Sequence, residues 1–211
     1  LEKKELINIF NKVILSGIFV GGDFVDEFEK KMSKYLKISN CISLNSGTDA
    51  LVLALHASGI RKGDEVITTP NSFIASTSVI VHLGAKPVFV DVKDDQNIDP
   101  DKIEEKITGK TKAIMPVHLT GRVCEMDKIL KISKKYKLSV IEDAAQAIGS
   151  KYNGIYAGKF GDFGCFSAHP LKNLNAIGDS GYLITKSKKH SSYVRDLKNH
   201  GMTNRDKIKN F

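Results

Sequence analysis

The chain has little of what metal clusters and disulfide frameworks are made from. It carries three cysteines, Cys41, Cys124 and Cys165, far apart and with no CxxC pair. A zinc site or a disulfide framework needs close, paired spacing, so buried, reduced thiols are expected. The six histidines are scattered, with no HxxxH or HxH pair, and a metal site is not expected. No apolar run approaches the roughly 20 residues of a membrane helix. The alternating charges of Leu1-Glu2-Lys3-Lys4-Glu5 lack a signal-peptide core. A reducing, cytoplasmic location away from the membrane is therefore the expectation. A Rossmann fingerprint and a Walker loop are also missing.

What is present suits a globular α/β protein. The 211 residues are 41% hydrophobic and 27% charged, enough for one large domain or two small ones. The formal net charge of +8 raises the question of nucleic acid. The lysines, as in 128–135, fall mostly at helical surface spacing, without aromatic interleaving or a nucleic-acid motif. Nucleic acid is not an expected partner. There is no initiator Met, and residues 206–211 read as stopping without a helix cap or a closing strand. The expectation is a piece of a longer protein.

Strand-like and helix-like segments alternate, which argues for α/β with a largely parallel sheet. Helical spacing covers 24–36, 48–58 (stopped by Gly59), 73–83, 101–106, 126–136 and 187–199. Strands are expected at 41–44, 65–68, 87–92, 112–117, 138–142, 164–168 and 182–185. In open sheets of this kind, ligands bind beyond the carboxyl ends of the strands. Four polar clusters sit at such ends: 45–48, 69–73, 143–146 and 167–172. One cleft could collect all four.

The clusters carry chemistry suited to one kind of ligand. In Asn45-Ser46-Gly47-Thr48 a strand ends and an apolar helix begins at once. Gly lets a ligand approach the backbone, and the free N–H groups of a helix start attract phosphate; plain capping by Ser46 or Thr48 is the simpler reading. Asp143 ends an apolar strand and could pair with a cationic ligand nitrogen, or cap the following turn. Gln146 could donate beside such a ligand or face solvent. Lys172 has no other charged side chain within three residues, so partial burial could make its amine nucleophilic; an exposed loop lysine is the commoner fate. Ser167, five residues earlier, could hold a phosphate.

The ordered series Asn45-Ser46-Gly47-Thr48-Asp49-Ala50-Leu51, Pro70-Asn71-Ser72-Phe73, Glu142-Asp143-Ala144-Ala145-Gln146-Ala147, Gly161-Asp162-Phe163-Gly164, Ser167 to Leu174 and Gly178-Asp179-Ser180-Gly181 resembles the DegT/DnrJ/EryC1/StrS family. These are sugar aminotransferases dependent on pyridoxal 5'-phosphate (PLP). The resemblance implies the fold type I large domain over 1–211, a mostly parallel mixed sheet flanked by helices, with a smaller C-terminal domain beyond. It implies Lys172 as the Schiff-base lysine and Asp143 as the partner of the ring nitrogen. Gln146 would sit by the ring hydroxyl, Phe73 would stack on the ring, and Gly47, Thr48 and Ser167 would bind the phosphate. It further implies a nucleotide-linked keto sugar as substrate, an amino acid such as glutamate as donor, and a homodimer.

Ala168 stands where an aromatic is usual, and Ser180 where Gly is frequent. Asn204-Arg205-Asp206 is not equated with the family's downstream Asn and Arg motif. A sugar dehydratase of the same fold is disfavoured because its relatives replace the Schiff-base lysine with His; an inactive PLP-fold protein remains the other alternative. Gly21-Gly22-Asp23-Phe24 resembles a cyclic-dinucleotide synthase signature without its Glu, and reads instead as the approach to the first long helix. The apolar segment 14–20 is expected either to be exposed or to fold back on the core.

Overall fold

The computed structural model describes residues 2–204 and 207–208. A seven-stranded sheet organises the chain, made of β1 (Asn40–Leu44), β2 (Glu65–Thr68), β3 (Lys86–Phe89), β4 (Thr111–Ile114), β5 (Ser139–Asp143), β8 (Phe163–Ser167) and β9 (Gly181–Thr185). The strand order is β1-β9-β8-β5-β4-β2-β3. Pairing is parallel from β8 through β5, β4 and β2 to β3, while β9 is antiparallel to both β8 and β1. Six strands therefore point one way and β9 alone runs against them, the mostly parallel mixed sheet expected from the alternating pattern. A small hairpin, β6 (Lys151–Tyr152) with β7 (Ile155–Tyr156), stands apart.

Successive side chains on a strand point to opposite faces, and the core divides accordingly. Ile42, Val66, Ala113, Ile141, Phe163, Cys165 and Leu183 share one cluster with Leu51, Ala54 and Leu55 of α3 (Gly47–Ala57), Val79 and Ile80 of α4 (Ala75–His82) and Val194 of α6 (Lys188–Lys198). Their neighbours Ile67, Ile114 and Val140 face the other way, onto Met126, Ile129 and Ile132 of α5 (Met126–Tyr136). Cys41, Phe166, Tyr182 and Ile184 join that side against Met32 and Leu36 of α2 (Asp23–Leu36). The result is three layers, helix, sheet, helix. All three cysteines are free and buried within them.

Local sequence explains the element ends. Ser46 caps α3 by accepting the Asp49 N–H at 3.0 Å. Gly59 stops it at φ 82, a left-handed position open to Gly, with the Ile60 N–H reaching back to the Leu55 carbonyl at 3.1 Å. The Gly21-Gly22 pair turns the chain into α2, which begins at Asp23.

Several expectations need correction. Residues 101–106 are not one helix but two short 3₁₀ turns, Pro100–Lys102 and Glu104–Lys106. β3 ends at Phe89, and Val92 only bridges to Ile98. α4 begins at Ala75, so Phe73 lies outside it. An additional helix, α1 (Glu2–Ser16), was not anticipated and has no buried residue. The apolar segment after it does not fold back: Val20 is 92% exposed and Phe19 71%. The chain end does carry closing strands, since β10 (Met202–Asn204) pairs with β11 (Lys207–Ile208). Arg205 and Asp206 of the Asn204-Arg205-Asp206 segment lie outside the described residues.

Candidate active site

The carboxyl ends of β1, β5 and β8 open on a cavity of about 550 Å³. It brings together every residue singled out from the sequence: Gly47, Thr48, Phe73, Asp143, Gln146, Ser167 and Lys172 all line it. This is where an open, largely parallel sheet places a ligand. The volume falls in the range of small-molecule and cofactor sites.

Asp143 forms the floor. Its backbone is pinned on both sides, the N–H donating to the Pro116 carbonyl at 2.9 Å and the carbonyl accepting from the His118 N–H at 3.0 Å. Oδ2 accepts the Ser76 hydroxyl at 2.7 Å, and Oδ1 accepts the Ala145 N–H at 3.2 Å. Burial pushes the carboxyl above its ordinary range, against Ser76, the Ala145 N–H and Lys172, which favour the charged form.

Behind Asp143, Glu142 is fully buried and accepts four hydrogen bonds. Oε1 takes the N–H groups of Phe160 and Gly161 at 2.7 Å each, and Oε2 takes that of Gly158 at 2.7 Å. Its fourth donor is His118 Nε2 at 2.9 Å. The His118 Nδ1 accepts the Cys124 N–H at 3.3 Å, which assigns the ring proton to Nε2.

At the opposite wall Gly47 opens α3 directly against β8. A Cβ on Gly47 would lie 2.8 Å from the Ser167 Cβ, closer than such atoms come. Ser46 serves as the cap, accepting the Asp49 N–H. The N–H groups of the first turn have no acceptor within the helix, and the Ser167 hydroxyl stands beside them. Ser167 Oγ accepts the His169 N–H at 3.3 Å, which leaves its own proton to donate.

Lys172 sits in the loop between β8 and β9, in a turn closed by its N–H donating to the His169 carbonyl at 2.7 Å. It is half-buried, and no hydrogen bond or salt bridge ties its amine to another described residue. Gln146 is oriented from behind: Oε1 accepts the Thr120 N–H at 2.8 Å, so its amide NH₂ is the remaining donor. Thr120 holds the left-handed conformation, φ 53, that aims its N–H there. Phe73 stands at the rim, 69% exposed.

Two polar lining residues were missed in the sequence, Ser76 and His118. Ser76 is a buried hydroxyl in a helix that also carries Thr77, Ser78 and His82, so nothing in the pattern sets it apart. His118 follows the stretch expected as a strand at 112–117, whose observed strand β4 ends at Ile114, at the kind of position where the other clusters were sought.

Comparison with known proteins bears on this site. The model of the DegT/DnrJ/EryC1/StrS aminotransferase family matches residues 1–211. The chain belongs to that family. It is 46% identical over 200 residues to the dTDP-3-amino-3,6-dideoxy-alpha-D-galactopyranose transaminase of Aneurinibacillus thermoaerophilus, covering 94% of this chain and 55% of that protein. A protein of Geobacillus stearothermophilus named pleiotropic regulatory protein is 44% identical over 200 residues, with 94% of this chain and 54% of that protein covered. The crystal structure of NtdA from Bacillus subtilis with bound PMP cofactor matches at TM-score 0.94 and 37% identity, covering 100% of this chain and 48% of that one. The mostly parallel α/β sheet flanked by helices is thus the fold of PLP-dependent aminotransferases. The chain spans about half the length of these curated relatives.

Proposed function

We propose that this chain is the cofactor-binding large domain of a PLP-dependent aminotransferase that moves an amino group, from a donor such as glutamate, onto a nucleotide-linked keto sugar. The carrying observation is the single cavity in which a buried carboxylate, Asp143, and an amine without a salt-bridge partner, Lys172, share one wall-to-wall space with a helix start. The residues fit PLP on two structural grounds. Asp143 is a carboxylate whose burial calls for a cationic partner, and the Gly47 to Ser167 contact makes a cradle that a Cβ would fill.

When bound, PLP supplies a protonated ring that acts as an electron sink for carbanion chemistry. Asp143 holds the proton on the ring nitrogen. The first-turn N–H groups at Gly47 and Thr48, with the Ser167 hydroxyl, bind the phosphate. The Gln146 amide NH₂ would be the donor to the ring oxygen, and Phe73 would cover a ring face and exclude water there. Lys172 Nζ would hold the cofactor and, when free, would act as general base on the proton of the donor's α-carbon.

We also infer a homodimer in the cytoplasm. Large apolar side chains stand exposed, Phe73 and Leu171 among the cavity lining, Ile74 and Ile177 elsewhere, and others along α1, where no residue is buried. Such surface marks an interface, and a two-fold dimer is the commonest closed assembly. Free, buried thiols suit a reducing compartment. No described helix is long and apolar enough to cross a membrane.

The test is spectroscopic and then chemical. Purified protein mixed with PLP should develop a visible band, and glutamate should discharge it while 2-oxoglutarate appears. A panel of nucleotide-linked keto sugars should then restore it. A protein that binds PLP but exchanges no amino group with any amino acid would contradict the transaminase reading.

A further inference from the structure

The buried hydroxyl of Ser76 has no part in the roles assigned above, yet it makes the shortest contact to the Asp143 carboxylate. We propose that Ser76 is a positioning residue for Asp143: from the first turn of α4 its hydroxyl donates to Oδ2 and holds the carboxylate, ionised and in one orientation, at the cavity wall. The proposal rests on the cofactor reading and assigns this chain a further residue for that reaction.

Ser76 behaves unlike the serines beside it. Serine hydroxyls near a helix start usually bond to local backbone. Ser72 Oγ donates to the Phe73 carbonyl at 3.1 Å, and Ser78 Oγ to the Ala75 carbonyl at 3.4 Å. Ser76 instead reaches 67 residues along the chain, from α4 to the end of β5, at 2.7 Å. Both it and Asp143 are buried, at 1% and 6% exposure.

No other side chain donates to that carboxylate among the described residues. His118, the neighbouring candidate, is committed: Nε2 donates to Glu142 and Nδ1 accepts from Cys124. The Ala145 N–H reaches only Oδ1, as a bond within the local turn. The charged or titratable groups that bear on Asp143 from the elements around it are His118 after β4, Lys172 after β8 and Cys165 on β8. Of these, Lys172 is to be engaged by the cofactor, and Cys165 is a buried thiol that does not hold charge. A hydroxyl bonded to a carboxylate is charge-assisted and short. It favours the ionised form, the only form that can hold a proton on a ring nitrogen. The Oδ2 atom has a second lone-pair direction that the Ser76 bond leaves open.

A purely structural role, fastening α4 to β5, predicts something different. The test follows the visible band of the bound cofactor against pH in the PLP-loaded protein, for wild type, Ser76→Ala, Ser76→Thr, Asp143→Asn and the Ser76→Ala/Asp143→Asn pair. Losing the bond makes Asp143 easier to protonate, so in Ser76→Ala the acid limb of the profile should move up by about one pH unit. Ser76→Thr keeps the hydroxyl and should restore the wild-type limb. In the Asp143→Asn background, Ser76→Ala should move nothing further, as two groups acting through one another require. If Ser76→Ala does not fold, Ser76→Cys, a weaker donor of similar size, should show a smaller shift in the same direction. A Ser76→Ala or Ser76→Cys profile that overlays wild type while Asp143→Asn departs from it overturns the Ser76 role alone. A wild-type protein that takes up no PLP overturns the proposed function and the Ser76 role with it.

Discussion

Gly47 and Ser167 are packed so closely that a Cβ on Gly47 would come within 2.8 Å of the Ser167 Cβ and 3.2 Å of its Cα. The obstruction is backbone and Cβ, not the far end of a flexible side chain. Any side chain at 47 must therefore push α3 away from β8, at the one place where helix-start N–H groups and the Ser167 hydroxyl converge. Gly47→Ala should weaken PLP binding by about 10- to 100-fold, the equivalent of roughly 1.4–2.8 kcal/mol. On the proposed reading this is the phosphate cradle, so pyridoxal without phosphate should bind wild type and variant alike. Equilibrium dialysis with the two ligands checks both halves.

Asp143→Asn separates function from stability. Asn can satisfy the same neighbours: Oδ1 accepts the Ala145 N–H, and the amide NH₂ donates to Ser76 Oγ. What disappears is the charge. The half-reaction with glutamate should slow by at least about 100-fold, the loss of an electrostatic stabilisation of roughly 3 kcal/mol or more, measured by stopped-flow absorbance.

The same substitution should stabilise the cofactor-free protein. Burial raises the Asp143 pKa in the fold, so the folded state binds this proton more readily than the unfolded state. Stability from this group is then highest at low pH and falls as pH rises from the unfolded pKa through the folded one. At neutral pH the charged carboxyl is a cost that Asn removes. A higher thermal midpoint for the Asn variant is therefore expected. Calorimetry of both apo proteins at neutral pH reads it, and the difference should shrink at acid pH.

Glu142 is a different kind of carboxylate, with all four of its acceptor positions filled by Gly158, Phe160, Gly161 and His118. Glu142→Gln turns one oxygen into a donor that faces donors. At least two buried groups lose a partner, at a combined cost of roughly 3 kcal/mol, and the thermal midpoint should drop by about 10 °C. A midpoint within 2 °C of wild type, in the same size class of domain, would show that the 158–161 loop does not depend on this clamp.

How much of this was legible in the sequence follows from where each signal resides. Asp143 was readable because an apolar run, Leu138 to Ile141, ends in a pair of carboxylates, and the strand it predicts is buried on both faces. Gly47 was readable because strand, glycine and apolar helix follow without a linker. Phe73 lines the cavity but lies outside the helix in which the sequence put it, since an aromatic at helical spacing looks the same whether it packs inward or stands at a rim. The α1 helix carries apolar residues at Leu6, Phe10 and Ile14, a helical spacing, but buries none of them. The Asn153-Gly154 pair, both at positive φ, is the two-residue turn of the unanticipated hairpin. Ser76 and His118 could not be read from spacing. Their partners lie 67 and 24 residues away, so only the folded sheet brings them together.

The central claim is that Lys172 is the amine that holds the cofactor. Lys159 is the informative rival, because burial, with Lys186 and Lys37 nearby, pushes its amine below the ordinary lysine range. Yet Lys159 Nζ donates to the Lys37 carbonyl at 2.7 Å and does not line the cavity. Borohydride reduction of the PLP-loaded protein, followed by peptide mass spectrometry, decides between them. The pyridoxyl label should fall on Lys172 alone, and Lys172→Ala should fold but take no label; a label on Lys159 or Lys186 in the wild-type protein would contradict the account.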